Sequence, residues 1–142
     1  MKIRDVMTRT AQLTSPDDTL RHAAQMMKEC DCGVLPVADG DRLVGMITDR
    51  DIAVRGIADG KGPDTKVRDV MTDEVMYCFD DDGIQQVCQN MAEIQVRRLP
   101  VVSRDKRLVG IVSLGDLAIE TGDERLAGRT LEAVSEPSGA QR

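Results

Sequence analysis

Two stretches place a hydroxyl residue three positions ahead of a carboxylate: Thr48-Asp49-Arg50-Asp51 and Ser113-Leu114-Gly115-Asp116. Each follows an apolar run, Leu43-Val44-Gly45-Met46-Ile47 or Leu108-Val109-Gly110-Ile111-Val112, and each leads into an apolar helical pattern. The pattern describes a strand that delivers a hydroxyl and a carboxylate to a helix N-terminus. Free N–H groups and a partial positive charge at that end suit an anion. A second reading stays open: Ser/Thr-x-x-Asp is close to a capping box, in which both side chains satisfy backbone donors and nothing else.

Covalent chemistry finds no support elsewhere. With one histidine, His22, no nucleophile–base–orienter set can be drawn, and no glycine-rich phosphate loop occurs. The chain is therefore expected not to be an enzyme, with no catalytic residue to name. Cys30-x-Cys32 lacks a matching second pair, which argues against zinc. No metal ligands are expected, and Asp80-Asp81-Asp82 reads as a charged helix start.

Composition narrows the partners. The 142 residues suit one compact domain or two small halves sharing a core, and 41% hydrophobic with 31% charged residues is ordinary for a globular protein. Aromatic residues make up 1% (Tyr77 and Phe79), so the core is aliphatic, and this argues against base stacking on aromatic platforms. A net charge of −6 opposes nucleic-acid and anionic-membrane partners. No run has transmembrane length, and Met1-Lys2-Ile3-Arg4-Asp5 does not open a signal peptide, so the expected location is cytoplasmic. In that compartment Cys30, Cys32, Cys78 and Cys88 are expected to be free thiols, with redox sensing by Cys30 and Cys32 left open.

The elements that hold the two stretches come from an internal repeat. Arg4-Asp5-Val6-Met7-Thr8 returns as Arg68-Asp69-Val70-Met71-Thr72, Leu35-Pro36-Val37 as Leu99-Pro100-Val101, and Arg42-Leu43-Val44-Gly45 as Arg107-Leu108-Val109-Gly110. The register slips by one residue before the last pair, placing an insertion at Arg104-Asp105-Lys106. In each copy an extended segment (residues 11–14, then 75–79) precedes an amphipathic helix. The helix stripes are Leu20, Ala23, Ala24, Met27 and Ile84, Val87, Cys88, Met91. A strand, a tight turn such as Asp39-Gly40-Asp41, a return strand and a short helix complete the unit. Pro36 and Pro100 imply a sheet edge or strand start. The order is β-α-β-β-α twice, an α+β fold, with repeats at residues 1–63 and 64–122. Residues 123–142 are left for a further helix near 125–134 and a disordered tail.

This order, with Asp-Val-Met-Thr at each start, Leu-Pro-Val on the middle strand and Gly-x-x-Thr/Ser-x-x-Asp before the last helix, resembles the CBS-domain family. The likeness is to its paired form, the Bateman module, over about residues 1–122. The resemblance implies two repeats related by pseudo-two-fold symmetry and a regulatory adenosyl ligand between them. That ligand would be AMP, ADP, ATP, NAD or S-adenosylmethionine, with no obligatory cofactor. It implies one site from Gln12, Cys32 and Gly33 with Arg98, Val112, Ser113 and Asp116, and another from Met76, Val96 and Arg97 with Val34, Ile47, Thr48 and Asp51. Core packing is the competing role for Val34, Val96, Ile47 and Val112, and a solvated sheet edge for Arg97 and Arg98. Output would pass through a homodimer or a protein partner in trans. The alternative function is a ligand-free dimeric scaffold whose Ser/Thr-x-x-Asp pairs are only caps.

Overall fold

The computed structural model describes residues 1–9, 12–121 and 124–135. In chain order the elements are β1 (Thr8–Arg9), α1 (Leu20–Cys30), β2 (Val34–Asp39), β3 (Arg42–Thr48), β4 (Cys78–Phe79), α2 (Ile84–Ile94), β5 (Arg98–Val102), β6 (Leu108–Ser113), α3 (Leu114–Thr121) and α4 (Glu124–Val134). This is the expected α+β tandem repeat. Part of the extended segment expected at 11–14 and most of the tail fall outside the described residues.

The described residues form two compact units, named here by their carboxylates. The Asp116 unit contains residues 1–9, 76–105 and those from 109 onward; the Asp51 unit contains 12–75 and 106–108. The opening motif of each repeat thus packs with the other repeat. Thr8 pairs with Ile111 and Arg9 with Gly110, while Met46 and Thr72 exchange two backbone hydrogen bonds of 2.9 Å. Glycine makes both approaches feasible. A Cβ on Gly45 would stand 2.8 Å from the Thr72 carbonyl oxygen and 2.9 Å from the Met71 sulfur, and one on Gly110 would stand 2.7 Å from Thr8 O and 2.8 Å from the Met7 sulfur.

In the Asp51 unit, β2 and β3 pair antiparallel with Leu35 opposite Ile47. Gly40 takes the left-handed conformation (φ 66°) in their connecting turn. Leu20, Ala23 and Met27 of α1 pack on Leu35, Val37, Ile47, Val67 and Val70. Ala24, expected in the stripe, is exposed because it sits at the edge of the buried arc. The Thr19 hydroxyl caps α1 by accepting from His22 N at 3.1 Å. The helix expected after Asp49 is π-helical over Asp51–Gly56, followed by a 3₁₀ turn at Ile57–Asp59. Gly56 lies close against Leu20 there, where a Cβ would be 3.1 Å from a Leu20 methyl.

The Asp116 unit has a four-stranded sheet in the order β1-β6-β5-β4. Its core joins Ile3 and Val6 to Ile84, Val87, Cys88 and Met91 of α2, and to Leu99, Val101, Val112, Leu114 and Leu117. α4 packs on α2 and α3.

Two expectations are corrected. Pro100 lies on β5, an interior strand. It is tolerated because the parallel ladder with β4 begins at Cys78 opposite Val101, so the position its missing N–H would face precedes the strand. The four cysteines are not all thiols: Cys30 and Cys32 form a disulfide, while Cys78 and Cys88 are buried and take part in no disulfide. Asp31 between the first two ends α1 in the left-handed conformation (φ 53°), and the Cα atoms of Cys30 and Cys32 are 5.3 Å apart, within disulfide range.

Candidate functional site

Both Ser/Thr-x-x-Asp stretches fold into the same reciprocal cap. The Thr48 amide donates to Asp51 Oδ2 at 3.0 Å and the Asp51 amide donates to Thr48 Oγ1 at 2.9 Å. The Ser113 amide donates to Asp116 Oδ2 and the Asp116 amide to Ser113 Oγ, both at 3.0 Å. The strand ends are fixed alike: the Asp49 amide donates to Gly33 O and the Leu114 amide to Arg97 O, each at 2.9 Å. The capping role is therefore fulfilled twice.

The caps leave atoms to spare. Each hydroxyl oxygen accepts one bond from an amide, so its own O–H is free to donate outward. Asp51 Oδ1 faces Arg55, whose Nη1 is 3.9 Å away. Among the described residues no partner is seen on Asp116 Oδ1 or on the Arg98 guanidinium. The two repeats therefore differ in available charge, although their caps match.

Within the Asp116 unit a cavity of about 380 Å³ is lined by Arg97, Arg98, Ser113, Leu114, Gly115, Ala118, Gly128 and Leu131. Two guanidinium groups and a hydroxyl meet a wall of small and aliphatic residues. Such a space can take a ligand with an anionic end and a flat, weakly polar body. Asp116, half-buried, is not itself in the lining but is hydrogen-bonded to the lining residue Ser113; Val112 is wholly buried in the core and does not line the cavity.

The remaining expected residues are placed as follows. Arg97, assigned by resemblance to the Thr48–Asp51 set, lines the same cavity as Arg98, and its Nη2 donates to Ser135 Oγ at 3.3 Å. Met76 is exposed on a separate cavity of about 220 Å³ with Tyr77, Glu93 and Ile94. Val96 packs on the core of that unit. Gln12, Cys32, Gly33, Val34, Ile47, Thr48 and Asp51 all belong to the Asp51 unit. There Ile47 is fully buried, Gly33 lies under the Asp49 carboxylate and Gln12 is exposed. Leu114, Gly115, Ala118, Gly128 and Leu131 were not anticipated as lining. The periodicity at 125–134 foretells a helix, but no sequence feature says that it docks on the cavity. Among the described residues, no three His, Cys, Asp or Glu side chains gather as a metal site, and no helix is long and apolar enough to cross a membrane.

The family model for the CBS domain matches residues 3–55 and 67–121. The CBS domain-containing protein YhcV of Bacillus subtilis is 40% identical over 133 residues, 94% of each chain. Hypoxic response protein 1 of Mycobacterium tuberculosis is 44% identical over 117 residues, 81% of each chain. A crystal structure of Hypoxic Response Protein I with two coordinated zinc ions aligns at a TM-score of 0.76 with 41% identity, covering 84% of this chain and 98% of that one. A crystal structure of CBSX2 in complex with AMP aligns at 0.75 with 25% identity, covering 87% and 98%.

Proposed function

Because the chain belongs to the CBS-domain family, a family of regulatory rather than catalytic modules, we propose that it senses an adenine nucleotide through the cavity beside Asp116. The observation that carries this reading is the convergence of Arg97, Arg98 and Ser113 on one 380 Å³ cavity. The phosphate would meet the Arg98 guanidinium and the Ser113 hydroxyl, and the unpaired Asp116 Oδ1 would accept ribose hydroxyls. Adenine would lie on the aliphatic wall. AMP in the related CBSX2 supports the ligand class. Signal output through a homodimer or a protein partner, and a cytoplasmic location, belong to the same proposal.

The Asp116 side is proposed as the tighter one, since Val34 and Gly33 stand where the second repeat has Arg98 and Arg97. Calorimetry on the full chain tests it. Arg98→Ala is expected to weaken AMP by roughly tenfold to a hundredfold, the worth of a charge-assisted hydrogen bond of about 1.5–3 kcal/mol, and to leave adenosine nearly unchanged. Equal losses for AMP and adenosine would overturn the assignment.

The scaffold reading draws on one observation: both caps are complete without any ligand. A thermal-shift panel of AMP, ADP, ATP, NAD and S-adenosylmethionine separates the two. A ligand at a hundred times its Kd adds about 2.7 kcal/mol of stability. A silent panel would favour the scaffold.

A further inference from the structure

The cavity has a wall that does not come from the repeat. Gly128 and Leu131 belong to α4, which lies beyond the residues matched by the CBS domain, 3–55 and 67–121. α4 is held in place from several directions. It packs on α2 and α3; Gln95 Nε2 donates to Ala133 O at 3.3 Å, and Arg97 Nη2 donates to Ser135 Oγ at 3.3 Å. With α4 docked, the cavity still measures about 380 Å³, so the helix bounds the space without filling it. Glycine faces the space from both helices, Gly115 on α3 and Gly128 on α4. Glycine weakens a helix interior, and nothing lies within 4 Å of the point where a Gly128 Cβ would stand. The position is open. Leu131 remains 44% exposed although it sits at the cavity, an apolar surface that a bound ring would cover.

We propose that α4 is the closing wall and the readout of the nucleotide site: ligand binding clamps α4 onto α2 and α3 through Leu131, the bare Gly128 face and Arg97. Arg97 can serve ligand and helix together, because a guanidinium has five N–H donors and Ser135 takes one. A phosphate that engages Arg97 through its other donors holds the side chain in the position from which it reaches Ser135. By linkage, whatever favours docking of α4 favours the ligand, and whatever pulls α4 away releases it. A partner that grips this helix would read the occupancy of the cavity. The inference rests on the reading of the cavity as a nucleotide site.

Hydrogen exchange on the full chain, with and without AMP, tests it. Amides of residues 124–135 are expected to exchange at least severalfold more slowly with AMP bound. Gly128→Leu is expected to fill the cavity from the α4 side and weaken AMP by tenfold or more. Gly128→Ala, with room for its methyl, should bind within about threefold of wild type while strengthening the helix. Retained cooperative unfolding in both variants shows that the fold is intact. If Gly128→Leu does not fold, Leu131→Ser, which keeps the helix and removes the apolar surface, should still weaken AMP severalfold. AMP binding with unchanged or faster exchange in 124–135, or full affinity in Gly128→Leu, overturns the clamp and leaves the nucleotide site standing. Absence of AMP binding by the wild-type chain removes the nucleotide reading and the clamp together.

Discussion

Residue by residue, the carboxylates divide their work between two oxygens. Oδ2 of Asp51 and of Asp116 holds the backbone amide of the hydroxyl residue three positions back. The other oxygen differs, facing Arg55 from Asp51 and having no partner among the described residues on Asp116. Asp116→Ala is therefore expected to lose a cap, about 1 kcal/mol, and in addition to weaken AMP by tenfold or more. Asp51→Ala should chiefly show the stability loss; unchanged AMP affinity in Asp116→Ala would return that residue to capping alone. Asp18 carries a pH signature. Burial draws its carboxyl upward, but the hydrogen bonds from Thr14 Oγ1 and Ser15 N, together with His22, outweigh that and hold it below 3.8. A carboxyl depressed in the folded state stabilises the fold above its unfolded pKa, and the contribution disappears as pH falls through the folded value. Asp18→Asn should thus cost stability in urea titrations at pH 7, and the gap to wild type should narrow below pH 3.8. Burial, with Asp82 adding, pushes the Cys78 thiol up to about 12. With Cys30 and Cys32 joined and Cys88 buried, unreduced native protein at pH 8 should show no fast-reacting thiol. A burst of modification before unfolding would contradict this.

Among the elements, the contacts of Gly45 and Gly110 explain why Met-Thr and Leu-Val-Gly recur together. In each unit a methionine sulfur and a threonine carbonyl rest where a glycine offers no Cβ. The carbonyl at the Gly45 contact belongs to the Met46–Thr72 bridge, so it has little freedom to retreat. Gly45→Ala and Gly110→Ala are each expected to destabilise by about 1–3 kcal/mol, the usual penalty of overpacking. Gly62→Ala, with nothing within 4 Å, should be neutral in the same denaturation assay. The acid pairs act locally as well: Asp18 and Asp82 accept from the amides of Ser15 and Phe79 and so fix the turn before each amphipathic helix. Arg104 pairs with Asp81 and lies 4.1 Å from the Phe79 ring centre, giving the acid run a structural partner.

Across the whole molecule, the exchange of opening motifs makes the chain indivisible at residue 63. The Asp116 core needs Ile3 and Val6 from the start of the chain, and the Asp51 core needs Val67 and Val70 from beyond the linker. Fragments 1–63 and 64–142, made separately, should each lack part of a core and show no cooperative unfolding, whereas mixing them should restore it. A monomeric fragment with a cooperative transition would refute this.

Much of this was legible in the sequence because it depends on short-range periodicity. The helix stripe Ile84, Val87, Cys88 and Met91, the Asp39-Gly40-Asp41 turn, the one-residue slip near Lys106 and the two Ser/Thr-x-x-Asp caps each lie within a few residues of their partners. The duplication was legible for the same reason, since identical motifs in the same order report one repeated unit, and it is the motifs themselves that carry the resemblance to the CBS-domain pair. Tertiary structure decided the rest. A repeat records which segments are alike but not which copy each one packs on, so the docking of Met71-Thr72 on Gly45 and of Met7-Thr8 on Gly110 depended on three-dimensional packing. The Cys30–Cys32 bond followed from the left-handed turn at Asp31, a backbone angle no residue type there dictates. The cavity acquired Gly128 and Leu131 for the same reason: the amphipathic pattern of α4 specifies a helix with one apolar face, and only the fold specifies which surface that face meets.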